Sequence, residues 1–149
     1  MKTMSEVRVA PVAVVSDEVL AACHRLIPQL SSSSRAITMA ELAEVVGGES
    51  TVLFAAHSGK EIVGLLTLVV FRIPTAVRAW IEDVVVDESA RGQGVGEALN
   101  QAAISEAARR GAKTVDLTSR PSREAANRLY QRIGFVRRDT NVYRYNLFE

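Results

Sequence analysis

Apolar positions change their period several times along the chain, and each change marks an element. Val7-Arg8-Val9-Ala10-Pro11-Val12 alternates weakly, which is the period of a strand. Ser16, followed by Asp17 and Glu18, supplies an N-cap and an acidic first turn, predicting a helix to about Ile27. Pro28 is expected to end or kink it, and the serines at 31–34 make a short polar loop. Thr38-Met39-Ala40-Glu41 matches a capping box, so a second helix should run to Gly47-Gly48.

Beyond that point the runs become β-branched and apolar. Residues 51–56 and 62–71 are separated by His57-Ser58-Gly59-Lys60, which is hairpin chemistry. Arg72-Ile73-Pro74-Thr75 then turns into residues 77–86, completing a three-stranded antiparallel meander. Val95, Leu99, Ala102, Ala103 and Ala107 fall at helical spacing, and Gly111 closes that helix. Val115-Asp116-Leu117 is a short strand, 122–133 a helix stopped by Gly134, and 142–147 a last alternating strand. The predicted order is β-α-α-β-β-β-α-β-α-β, an α/β (α+β) chain without internal repeats.

Composition narrows the function classes. With 149 residues and 48% hydrophobic content, one core and a single domain over 1–149 are expected. Charged residues make up 23% and the net charge is +1, so no whole-molecule field favours nucleic acid or a membrane surface. Cys23 is the single cysteine, which excludes an internal disulfide and a multi-cysteine zinc site and suits a reducing compartment. The N-terminus lacks the apolar stretch of a signal peptide, and no run approaches the roughly 20 residues of a membrane span. A soluble, cytoplasmic protein without a metal is therefore expected, with a homodimer left open.

The chemistry concentrates in Arg91-Gly92-Gln93-Gly94-Val95-Gly96, which joins a strand end to a helix start. Closely spaced glycines let backbone N–H groups approach a pyrophosphate, the helix N-terminus adds partial positive charge, and Arg91 offers a charged donor. A dinucleotide fingerprint would need a third glycine at position 97, where Glu97 stands. The glycine-lysine-serine/threonine run of a nucleoside-triphosphate loop is also missing. The plainer alternative is a tight strand-to-helix turn with no ligand.

This run resembles the Arg/Gln-x-x-Gly-x-Gly/Ala signature of the GNAT superfamily of acetyl-coenzyme A-dependent N-acetyltransferases. Ala126-Asn127-Arg128-Leu129-Tyr130-Gln131-Arg132-Ile133-Gly134-Phe135 resembles the family's Ala-x-x-x-Tyr-x-x-x-Gly-Phe segment. Ile81-Glu82-Asp83-Val84-Val85-Val86 is locally similar to the corresponding strand of glucosamine-6-phosphate N-acetyltransferases. The resemblance implies a mixed, mostly antiparallel sheet with a splayed central strand pair and helices on both faces. It implies acetyl transfer from acetyl-CoA, a cosubstrate, to a primary amine of a small molecule or peptide by direct attack through a tetrahedral intermediate. A non-catalytic acyl-CoA sensor or partner-binding module of the same fold is the alternative.

Carried over residue by residue, the resemblance has backbone groups of Val84, Val85 and Val86 pair with the pantetheine amides. The N–H groups of Arg91, Gly92, Gln93, Gly94, Val95 and Gly96 would hold the pyrophosphate. Tyr130 would give a proton to the departing thiolate, with Asn127 one turn earlier as a secondary coenzyme contact. The family often has asparagine seven residues before this tyrosine, where this chain has Arg123. Glu82 is the preferred general base, directly or through water, and strand alternation should turn Asp83 to the opposite face. His24, His57 and Cys23 are expected to be structural, and the resemblance implies acceptor walls from residues 26–38, where Arg35 and the serines are polar, and from the last hairpin.

Overall fold

The computed structural model describes residues 6–148. Its elements are β1 (Val7–Pro11), α1 (Asp17–Leu30), α2 (Met39–Gly47), β2 (Thr51–Ser58), β3 (Glu61–Ile73), β4 (Ala76–Val86), α3 (Val95–Arg109), β5 (Thr114–Asp116) and α4 (Glu124–Ile133). A short 3-10 turn, Glu88–Ala90, precedes the glycine run and was not foreseen. The chain forms two compact units, one ending at Leu117 and the other beginning at Thr118. Among the described residues, no helix is long and apolar enough to cross a membrane.

Local chemistry explains the helices of the first unit. Ser16 accepts a hydrogen bond from the Val19 N–H, and Thr38 and Glu41 complete a reciprocal capping box at α2. Pro28 does not end α1, which continues to Leu30, where the Ser31 N–H closes on the Ile27 carbonyl. A proline this close to the C-terminus disturbs only the final turn, so the helix tolerates it.

The sheet is five-stranded in the order β1-β2-β3-β4-β5. The first four strands pair antiparallel and β5 pairs parallel to β4, as Arg78↔Thr114, Ala79↔Val115 and Trp80↔Asp116. That pairing stops at Trp80 although β4 continues to Val86. Among the described residues, the edge of β4 therefore has no strand neighbour on the β5 side over its last six positions, which is the splay that the family resemblance implied.

Helices cover both faces of this sheet. On one, Val19, Cys23 and Leu26 of α1 and Leu42 of α2 pack with Leu53, Leu65 and Val85. On the other, α3 lies so close to β3 that a Cβ on Gly64 would sit 2.9 Å from Leu99 Cδ1, 3.0 Å from Val95 Cγ1 and 3.3 Å from the Val85 carbonyl oxygen. The glycine is what allows the helix to approach.

The second unit contains α4, which begins at Glu124, two residues later than the sequence suggested. The predicted last strand at 142–147 does not form: residues 135–148 carry no strand, and Tyr143 and Tyr145 are each 88% exposed. Alternation alone cannot make a strand, because its N–H and C=O groups need a neighbouring ladder, and no other strand belongs to this unit.

Replacing Gly64 by valine should destabilise the protein by about 1–3 kcal/mol through overpacking against α3. Urea denaturation checks this, and an unchanged midpoint would contradict the close approach.

Candidate functional site

Register along β4 decides which carboxylates face the helical layer of α1 and α2. Leu65 pairs with Val85 and Thr67 with Glu82, so Leu66 alone stands opposite Asp83 and Val84. This is a β-bulge: one extra residue on β4. Leu65 and Thr67, two apart, share a face, and so must their partners Val85 and Glu82, although these are three apart. Asp83 takes a left-handed backbone conformation with φ of 51°, unusual for a residue other than glycine.

The expectation that alternation turns Asp83 away is therefore wrong. Asp83 lines the same cavity as Leu65 and Thr67, on the α1/α2 side of the sheet. Glu82 also lies on that face, but its Oε1 accepts a hydrogen bond from Trp80 Nε1 at 2.8 Å, and it is not among the residues lining the cavity. Asp83 has no hydrogen-bond or ion-pair partner among the described residues.

The cavity holds about 280 Å³ between α1, the following loop, α2 and the sheet. Its walls include Leu42, Leu53 and Leu65, with Cys23, His24 and Arg35 as polar or titratable members. Residues 26–38 do contribute to it, as expected for an acceptor wall. His24, on α1, reaches this cavity and donates from Nε2 to the Ile37 carbonyl at 2.8 Å. Spacing could not reveal that bond, which joins a helix to a loop thirteen residues away. Burial pushes the Cys23 thiol pKa up, so it stays protonated and poorly nucleophilic. His57 lies elsewhere, near the end of β2, with a buried Nδ1 that has no hydrogen-bond partner among the described residues.

The glycine run has the backbone that its sequence calls for. Gly92 and Gly94 are left-handed, with φ of 78° and 82°. A Cβ on either would meet nothing within 4 Å, so backbone conformation, not crowding, demands glycine here, and the space beside the turn is open. Gly94 is the N-cap of α3 and offers no side-chain cap. The first N–H groups of a helix lack intrahelical partners, so this end presents donors and partial positive charge. Arg91 folds back, with Nε donating to the Val86 carbonyl at 3.2 Å, tying the turn to the splayed end of β4. Val95 is buried and can offer only backbone to a ligand, while Val85 is buried and pairs with Leu65 on the β3 side. Open space, unpartnered donors and a free β4 edge fit a phosphorylated, amide-bearing ligand such as a coenzyme A thioester.

Tyr130 and Asn127 belong to α4 in the second unit. The Tyr130 ring is buried and meets Phe135 edge-on, with centroids 5.7 Å apart at 75°. Burial raises the hydroxyl pKa, with a smaller opposing effect from Arg123, so the group keeps its proton at neutral pH. Its hydroxyl makes no hydrogen bond among the described residues. Asn127 Nδ2 donates to the Arg120 carbonyl at 2.9 Å, which commits the amide nitrogen to the loop before α4 and leaves Oδ1 for other partners. Arg123 is the N-cap residue of α4 and makes no side-chain cap bond.

The profile of the acetyltransferase (GNAT) family matches residues 18–135. N-alpha-acetyltransferase 30 of Schizosaccharomyces pombe is 36% identical over 73 residues, covering 49% of this chain and 48% of that protein. The chain thus matches about half the length of that relative. Among solved structures, a transcriptional regulator from Bacillus halodurans C-125 superposes with a TM-score of 0.80 at 26% identity, covering 93% of this chain and 100% of that one. Glucosamine-6-phosphate N-acetyltransferase from Arabidopsis thaliana superposes with a TM-score of 0.76 at 16% identity, over 94% and 98% of the two chains. The latter likeness is one of fold.

The loop on the cavity rim is held by Arg35, whose Nη1 and Nη2 reach Glu41 Oε1 and Oε2 at 3.2 and 2.8 Å. Those bonds, with the N–H and hydroxyl of Thr38, hold the Glu41 pKa down from 4.5 to about 2. A depressed carboxylate contributes stability that is present above pH 4.5 and is lost as pH falls towards 2. Glu41→Gln should therefore lower the melting temperature at neutral pH and make it fall less steeply between those limits. Parallel wild-type and variant melting curves would exclude this role.

Proposed function

The chain belongs to the acetyltransferase (GNAT) family, and we propose that it transfers the acetyl group of acetyl-CoA to a primary amine. The observation that carries this reading is the uncapped start of α3 behind two left-handed glycines, beside a strand whose far edge is unpaired. The family match runs across the boundary at Leu117 and Thr118, which supports one N-acetyltransferase domain over 1–149. A reducing, cytoplasmic setting is consistent with a single buried, unpaired cysteine. Neither nucleic acid nor membrane enters the proposed cycle.

In this reading, N–H groups along Arg91, Gly92, Gln93, Gly94, Val95 and Gly96 receive the pyrophosphate, and the free edge at Val84, Val85 and Val86 receives the pantetheine amides. An amine attacks as its neutral form, so a proton must leave it, and Glu82 accepts that proton directly or through water. The tetrahedral intermediate then collapses with loss of the thiolate, to which Tyr130 gives a proton. Support for Tyr130 is its raised pKa and a hydroxyl not already committed to the protein. Asn127 Oδ1 is proposed as a secondary coenzyme contact. A non-catalytic acyl-CoA sensor would share the coenzyme contacts and bind without releasing thiol.

The test is thiol release from acetyl-CoA with a panel of amines, run on wild type and Tyr130→Phe. The variant should lose roughly ten- to several-hundred-fold in kcat, since general-acid contributions are commonly that large and water replaces part of the loss. Coenzyme affinity should change by less than about threefold, because little uniform binding is removed. Wild-type turnover in the variant would overturn the assignment, and coenzyme binding without any thiol release would favour the sensor.

A further inference from the structure

The cavity under α1 and α2 is chemically lopsided. Arg35 is the one lysine or arginine among its lining residues, and its guanidinium is already paired through two hydrogen bonds to Glu41. Asp83 is the one carboxylate among them, is exposed to solvent and has no side-chain partner among the described residues. The remaining wall is largely apolar, with Leu42, Leu53 and Leu65 on it. A ligand entering here meets an unpaired carboxylate at Asp83 and hydrocarbon from both the sheet and the helices.

The position of that charge is built into the backbone. Without the extra residue on β4, strand alternation would send the Asp83 side chain to the α3 face. The bulge costs a left-handed conformation at a residue with a Cβ, and in exchange it presents a carboxylate to the cavity.

We propose that Asp83 holds the acceptor as an ammonium ion, making this cavity selective for cationic amines on an apolar body and poor for amines that carry a carboxylate or phosphate nearby. This rests on the acetyl-transfer reading above for the word acceptor, while the binding preference stands on the cavity alone. An ammonium donates to the Asp83 carboxylate in charge-assisted hydrogen bonds, and its hydrocarbon part lies against the leucines. A carboxylate beside the amine would face Asp83 with no lysine on the lining and its one arginine already paired with Glu41. At about 280 Å³ the cavity lies at the small end of ligand sites, so it suits a small amine or the end of a larger one.

The test is equilibrium binding at neutral pH of two probes, phenethylamine and phenylalanine, which differ by the added carboxylate. Coenzyme A is titrated separately into the same proteins. Wild type should bind phenethylamine more tightly than phenylalanine. Asp83→Asn keeps the shape and tolerates a left-handed backbone, and should weaken phenethylamine by about tenfold while leaving coenzyme A unchanged. Asp83→Gly, which accepts the same φ, should show the same loss and covers the case in which the asparagine variant does not fold. Equal phenethylamine affinity in wild type and either folded variant would overturn the proposal, as would phenylalanine binding as tightly as phenethylamine, or no phenethylamine binding to wild type. Failure of coenzyme A to bind wild type would instead overturn the acetyl-transfer reading and leave the Asp83 result standing.

Discussion

Everything else in the first unit depends on the backbone of β4 having more length than its neighbours can pair. On one side β3 accompanies it to Val86, but only by means of a bulge, and on the other β5 leaves it after Trp80. Buried backbone N–H and C=O groups must find partners, so a strand with an unpaired inner edge needs water or a ligand there. The Arg91 guanidinium takes one of these groups, the Val86 carbonyl, and the glycine turn then carries the chain directly into α3. A single strand thus sets up the proposed coenzyme edge, the glycine turn at its end and the carboxylates on its α1/α2 face.

Charge is distributed in keeping with this division. The start of α3 offers helix-terminal N–H groups without a capping side chain, so it favours an anion, whereas the cavity beneath α1 and α2 offers Asp83 and favours a cation. The two ligands of the proposed reaction are of opposite charge, and the sheet separates the groups that would attract each. Glu82 is close to Asp83 in sequence but held by Trp80, so the two carboxylates have different freedom and are suited to different tasks.

Much of this was legible in the sequence because it is encoded locally. The capping box at Thr38 and Glu41, the hairpin at Gly59 and the glycines before Val95 each specify a short stretch of backbone, and each adopts it. The splay followed from the family resemblance rather than from any periodicity. The bulge at Asp83 was not legible, because a one-residue excess on β4 shows only against the register of β3, and period-two counting assumes that there is none. The bond of His24 to Ile37 and its place on the cavity were not legible for the same reason, since they depend on how a loop returns to a helix. Residues 142–147 were overrated, since alternation describes a strand's faces and says nothing about whether an edge exists to pair with.

Coenzyme A is proposed to lie along the free edge of β4 and to end at the start of α3. Amide-resolved NMR of the nitrogen-labelled protein, titrated with coenzyme A, reads those groups individually. The largest perturbations should fall on the N–H groups of Gly92, Gly94 and Gly96 and of Val84, Val85 and Val86, with far smaller changes along β1 and β2. Saturable binding that leaves those six amides unmoved would contradict the claim.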